Sequence, residues 1–310
     1  MTSLAARLNR VSLILGVIAW LILFFAPPIT IIPRLLLLAI LVVVPLALSL
    51  IGASELIPVQ LLAAAAVVVA FLLPAGDAAG GLTMGWLAFT GVAALWGLTR
   101  PRAHEWTNVA ELCLTAGMLY LPVGGVWLVA ARLGVGLLGF GEPLVSLTAV
   151  HFHYAGFAAL VIAGLTGRAL AALPKSPKRI YQLVAVGLIA GMALVAAGIT
   201  VSPLLEVVAA VVFAASLIGL VALQVRCILP GVARLPQILF GGSALMAVIA
   251  MLAAVTYAVS EFTGGDLITL AQMLRVHGEV NALGFVLCNL LAWTVVHPAQ
   301  PTAAISGSTQ

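Results

Sequence analysis

Two short stretches of this chain hold the side chains best suited to proton chemistry. The first reads His151-Phe-His153-Tyr-Ala-Gly156-Phe157, and the second runs His277-Gly-Glu279-Val-Asn281-Ala-Leu-Gly284-Phe285. Imidazole titrates near neutrality, and a carboxylate beside it supplies the second partner for general acid–base work. Three of the five histidines of the chain fall in these stretches. Both stretches lie within long apolar runs. Ionisable groups there are costly enough in a bilayer that each is a functional candidate by default.

Helical geometry limits how these groups cooperate. At about 100° per residue, His151 and His153 point about 160° apart, and so do His277 and Glu279. H-x-H therefore does not aim two imidazoles at one metal, whereas i, i+4 spacing does. His277 and Asn281 have that spacing, and Gly284 continues their face; His153 and Gly156 share a face on the other helix. Glycines at Gly156 and Gly284 allow close helix approach, which would bring His153 toward His277 and Asn281. Proton transfer then falls to Glu279 and His277, substrate orientation to His153 and Asn281, and support of Glu279 to His151. The alternative for each residue is a structural one, a polar side chain that hydrogen-bonds across helices and fixes packing.

Further polar residues lie near the same level. Glu206 opens an apolar run, Glu261 closes another, Asp266 lies in the following loop, and Arg275 precedes His277. With Tyr120, which can line a cavity, Glu206, Glu261 and Arg275 are candidate substrate contacts. The alternatives are solvated interfacial carboxylates and a snorkelling arginine. Glu111 suits a helix N-terminus electrostatically. Cys113, Cys227 and Cys288 have no C-x-x-C spacing and read as buried apolar thiols, so no metal ligands are assigned.

The elements that must position these residues are membrane spans. Hydrophobic residues make up 64% of 310 positions and charged residues 7%, with a mean hydropathy of +1.27. A water-soluble fold needs roughly a quarter of its residues charged, so soluble classes are excluded. A bilayer core takes about 20 apolar residues per helix. Ten windows fit: 11–27, 32–52, 57–74, 82–99, 109–131, 144–166, 181–200, 203–225, 236–259 and 267–296. Prolines at Pro27-Pro28, Pro33, Pro74, Pro101, Pro143, Pro174, Pro203, Pro230 and Pro236 punctuate them. The reading is all-α, an integral membrane bundle of about ten helices in one domain (1–297), followed by a short disordered cytoplasmic tail (298–310).

Basic residues orient the bundle. With the N-terminus cytoplasmic, inside segments hold Arg7, Arg10, Arg100, Arg102, Arg168, Lys175, Lys178, Arg179, Arg226 and Arg234. Outside segments hold Arg34, Arg132 and Arg275. Ten against three predicts both termini in the cytoplasm of a cell-membrane protein. Thirteen basic residues spread along the chain form no patch for nucleic acid. On this topology the histidine stretches occupy the outer half of spans six and ten, running in the same direction. Aligning their Gly-Phe pairs sets His151 against Glu279 and His153 against Asn281, an echo consistent with internal duplication.

The first stretch, continuing to Leu165-Thr-Gly167-Arg168, resembles the YndJ-like family of bacterial multi-pass membrane proteins. The second is similar to that family's other polar motif. Together they cover about a tenth of the chain. The resemblance supports the choice of His151, His153, His277, Glu279 and Asn281 and names no reaction.

Three functions remain open. The first is a cofactor-independent membrane enzyme acting on a lipophilic small molecule, for which isomerisation, cyclisation or epoxide opening of an isoprenoid-like or polyketide-like substrate would suit. The second is a protein binding haem or a divalent metal through histidines from two helices. The third is a proton-coupled small-molecule transporter. A purely structural scaffold and the oligomeric state are also left open.

Overall fold

The computed structural model describes residues 2–25, 29–100 and 107–296, and of residues 2–10 the backbone alone. The expected tail (298–310), Arg102, His104 and Glu105 lie outside the described residues. The described chain is all-α. Its helices are α1 (Thr2–Phe24), α2 (Ile31–Ile51), α3 (Ser54–Leu72), α4 (Asp77–Thr99), α5 (Val109–Leu133), α6 (Leu144–Ala171), α7 (Lys178–Val201), α8 (Pro203–Gly231), α9 (Arg234–Thr263) and α10 (Leu270–Val296). Among the described residues nine helices, α2 to α10, are long and apolar enough to cross a membrane. In α1 the apolar stretch is the shorter Val11–Phe24. Every predicted span has its helix; boundaries differ by a few residues, except that α1 starts at Thr2, well before its predicted window.

Hydropathy finds spans but does not say which one is central, because lipid-facing and protein-facing surfaces are both apolar. The centre is α2: 83% of its apolar window is buried, against 33% to 67% for the others. It touches α1, α6 and α10, while α3 to α9 pack mainly against their sequence neighbours. Residues Leu35 to Leu48 of α2 are buried without a break. The helix is irregular there, since Ala39–Val43 is π-helical and Pro45 brings no N–H. A carbonyl left short of a donor is expensive in this setting, and side chains from neighbouring helices bond three carbonyls, that of Leu35 in addition to the Ala39 amide. Gln60 of α3 donates to the Ile40 carbonyl (2.7 Å), Tyr154 of α6 to that of Leu35 (2.9 Å), and Trp20 of α1 to that of Arg34 (3.0 Å).

Three further π-helical stretches occur among the described residues: Phe152–Ala158 in α6, Gln224–Ile228 in α8 and Leu274–Leu287 in α10. The first and last contain most of the two polar motifs. A π-helix bonds i to i+5 and carries more residues per turn than an α-helix, and such stretches cluster at functional sites. It also alters the angular bookkeeping used for the sequence.

Polar side chains within the bundle form two groups on the half opposite the histidines. Glu111 of α5 is buried between Arg100, an ion pair closed at hydrogen-bonding range, and Arg168 of α6, which binds it at 2.7 and 3.0 Å. Arg100 also donates to the Glu111 carbonyl and to Thr115. Arg100 thus pairs within the fold as well as contributing to the charge bias. Nearby, Gln224 and Asn289 exchange amide hydrogen bonds and reach Thr166 and Ser243, tying α6, α8, α9 and α10 together.

Candidate functional site

A cavity of about 390 Å³ opens between α6, α7, α8, α9 and α10, with Leu35 of α2 in its wall. Its mouth is formed near helix ends: Leu144 starts α6, Glu206 lies in the first turn of α8, Glu261 in the last turn of α9, and Leu270 starts α10. Its floor is deeper, at Met192, Met251 and Asn281. Most of the wall is aliphatic or aromatic. The polar members are Thr148, His151, Tyr154, Glu206, Tyr257, Glu261, His277 and Asn281. A mostly apolar pocket with a few convergent polar groups is the usual form of a small-molecule site.

His151 and His277 face each other here, with ring centroids 6.1 Å apart and planes inclined by 26°. Each ring is held by a backbone carbonyl, which can only accept, so Nδ1 carries the proton in both. His151 donates to Leu147 one turn back (2.9 Å), and His277 donates across to Ala250 of α9 (3.0 Å). Nε2 of each ring is left as a lone pair with no partner among the described residues. Asn281, one turn beyond His277, has its Oδ1 buried and without a hydrogen bond among the described residues.

The mouth is acidic. Glu206 and Glu261 are close enough to interact, and the Tyr257 hydroxyl donates to Glu261 (2.9 Å). Local folding fixes this arrangement. Ser260 donates to the Gly265 carbonyl and accepts from the Leu267 amide (2.9 Å), pinning the turn after α9. Thr269 then caps α10 in a reciprocal capping box with Gln272.

The remaining candidates lie elsewhere. It is His151, and not His153, that meets His277. His153 is fully buried toward α4: its Nδ1 donates to Ala149 (2.8 Å) and its Nε2 accepts from the Trp86 indole (3.0 Å). Both ring nitrogens are used, so this residue behaves as a packing histidine. Gly124 of α5 makes room for it, since a Cβ there would lie 2.7 Å from His153 Nδ1. Glu279 is half-buried, does not line the cavity, and has no hydrogen bond or ion pair among the described residues. Tyr120 packs on Phe152 and donates to Ile189 of α7 (2.9 Å), and exposed Arg275 also stays off the wall.

The expected glycine contact between spans six and ten does not form. Gly156 faces Tyr120 of α5, and Gly284 faces Met246 of α9. Each glycine serves its helix's sequential partner, and Phe157 and Phe285 beside them are both fully buried. The two motifs share a local role more than a mutual contact. Tyr257, Tyr154 and Trp86 escaped the sequence reading. Of these only Tyr257 had a local signal, its i, i+4 spacing to Glu261. No group of three or more His, Cys, Asp or Glu side chains able to hold a metal ion occurs among the described residues.

No solved structure matches the chain. Among curated proteins it is similar to the "Uncharacterized membrane protein YndJ" of Bacillus subtilis (strain 168), with 29% identity over 230 residues. That alignment covers 74% of this chain and 41% of the relative, so the chain spans about two fifths of the length of the relative it matches. The family model described as YndJ-like protein matches residues 34–285, which takes in α2 to α9, the cavity and both polar motifs, and the chain belongs to this family of membrane proteins.

Proposed function

We propose that the protein is a membrane-embedded enzyme that moves protons on a lipophilic small molecule held in the cavity. The observation that carries this reading is the facing pair His151 and His277, each with Nδ1 spent on a carbonyl and Nε2 free. Two imidazolium rings 6.1 Å apart repel each other, so the pair takes up one proton at a time beyond the two held on Nδ1. One Nε2 removes a proton from the substrate, and the imidazolium so formed stays anchored by its Nδ1–H. That proton is returned at a neighbouring atom of the same molecule. Such a cycle suits isomerisation and consumes no second substrate; in a proton-initiated cyclisation the pair starts with the extra proton and the same two transfers run in the opposite order. The role assigned to Glu279 in the sequence reading passes to the second imidazole, because Glu279 is outside the cavity wall. Glu206, Glu261 and Tyr257 hold the substrate's polar end at the mouth.

The positive-inside bias supports a mouth at the outer face, with Lys175 and Arg226 inside. Substrate would then enter from the outer leaflet or the outer medium.

The test compares metabolite profiles of cells carrying the wild type, His277→Ala and His151→Ala, with membrane insertion checked for each. General acid–base groups contribute about 10²- to 10⁴-fold to rate. A metabolite that accumulates or vanishes in both variants is the expected result. Profiles identical to wild type, from variants that insert normally, would reject catalysis by this pair.

A further inference from the structure

We infer that the ligand of this cavity is a lipophilic amine, bound as its ammonium ion. The inference concerns the same site as the proposed function and deepens it by naming the substrate class. It rests on an inventory of what the wall can offer. The hydroxyl donors are already spent: Thr148 on the Leu144 carbonyl (2.8 Å), Tyr154 on Leu35 (2.9 Å) and Tyr257 on Glu261 (2.9 Å). Both imidazole N–H groups are spent on carbonyls as well. What remains is a set of acceptors: two Nε2 lone pairs and the carboxylates of Glu206 and Glu261; Asn281 Oδ1 is buried away from the open space. The Asn281 amide group is the one donor still open. No lysine or arginine lines the cavity among the described residues.

A ligand entering such a space must bring its own N–H donors and, at the mouth, positive charge. A carboxylate, phosphate or sulfate headgroup would meet two glutamates and no cation, which excludes acidic lipids. An alcohol or ketone would satisfy few of the acceptors and none of the charge. A bare metal ion would leave the aliphatic wall unused, and no three ligating side chains converge among the described residues. An alkyl ammonium fits each part. Its N–H groups reach Glu206 and Glu261, and its apolar body lies along Met192, Phe213 and Met251. The imidazole lone pairs take a second N–H or an acidic C–H deeper in the cavity.

Binding can be read without knowing the natural compound. The probes are dodecylammonium, dodecyltrimethylammonium, dodecanol and dodecanoate, titrated calorimetrically into the purified chain in phosphatidylcholine nanodiscs, with empty nanodiscs as baseline. Saturable binding is expected for dodecylammonium, weaker binding for the quaternary ion, which lacks N–H donors, and none above baseline for the other two. Glu206→Gln and Glu261→Gln are each expected to weaken the ammonium by about tenfold or more. Equal binding of dodecanol or dodecanoate, or no saturable ammonium binding, would overturn the inference on the unaltered protein, independently of any variant. The outcome separates from that of the catalytic reading. Ammonium binding with unchanged metabolite profiles removes catalysis alone, and altered profiles without ammonium binding remove the amine alone.

Discussion

His277 and Glu279 are two positions apart and have different fates. His277 turns its ring into the cavity and anchors on Ala250, whereas Glu279 has no partner there. Glu279→Gln is therefore expected to leave metabolite profiles as in the wild type, while His277→Ala changes them; the reverse pattern would return the proton-transfer role to Glu279. Glu111 presents the opposite situation, a carboxylate buried between two guanidinium groups. Removing one partner of a buried ion pair costs about 3–5 kcal/mol, because the charge left behind is uncompensated. Glu111→Gln should lower thermal stability in detergent accordingly, and a neutral result would mean that water reaches the arginines.

At the level of the helix, span positions were legible because about 20 apolar residues between prolines leave few other readings. The candidate site was half legible. His151, His277, Asn281, Glu206 and Glu261 line one cavity, and all five stand out as ionisable or amide groups in apolar runs. The role of His153 was not legible, because its partner Trp86 lies 67 positions away on α4 and no local pattern announces it. Nor was the π-helical winding of Leu274–Leu287, which invalidates a fixed 100° step along α10. Two predictions belong here. Gly124→Ala pushes a methyl into the His153 ring and should cost about 1–3 kcal/mol, seen as a lower unfolding midpoint. Gln60→Leu withdraws the donor from the Ile40 carbonyl and should cost about 1 kcal/mol, a typical value for a polar contact between membrane helices.

Across the molecule, polar groups are partitioned by depth. The acidic mouth and the histidine pair occupy one half, and the Glu111 ion pairs and the Gln224–Asn289 network occupy the other. Buried Ala282, Phe285 and Val286 of α10 separate Asn281 from Asn289. That apolar layer favours a pocket open to one face over a proton path through the membrane. The proposed orientation is checked by cysteine labelling in a chain whose Cys113, Cys227 and Cys288 are replaced by Ala. Ser176→Cys should react with an impermeant reagent only after the membrane is opened, and Gly139→Cys in intact cells. Labelling in the opposite sense would invert the assignment and put the mouth inside.

The burial of α2 has a consequence for how the chain is made. Leu35 lies beside Tyr154 of α6 and Gly278 of α10, so the wall it contributes is finished by segments that emerge much later. While a membrane protein is being synthesised, its early helices meet lipid first. The most apolar helix here can wait there at little cost, and it is enclosed only when α10 arrives. No ligand can template that assembly, because the space that would receive it does not exist until synthesis has passed α10. A chain stalled before that point would be inserted and helical, and would have no finished cavity.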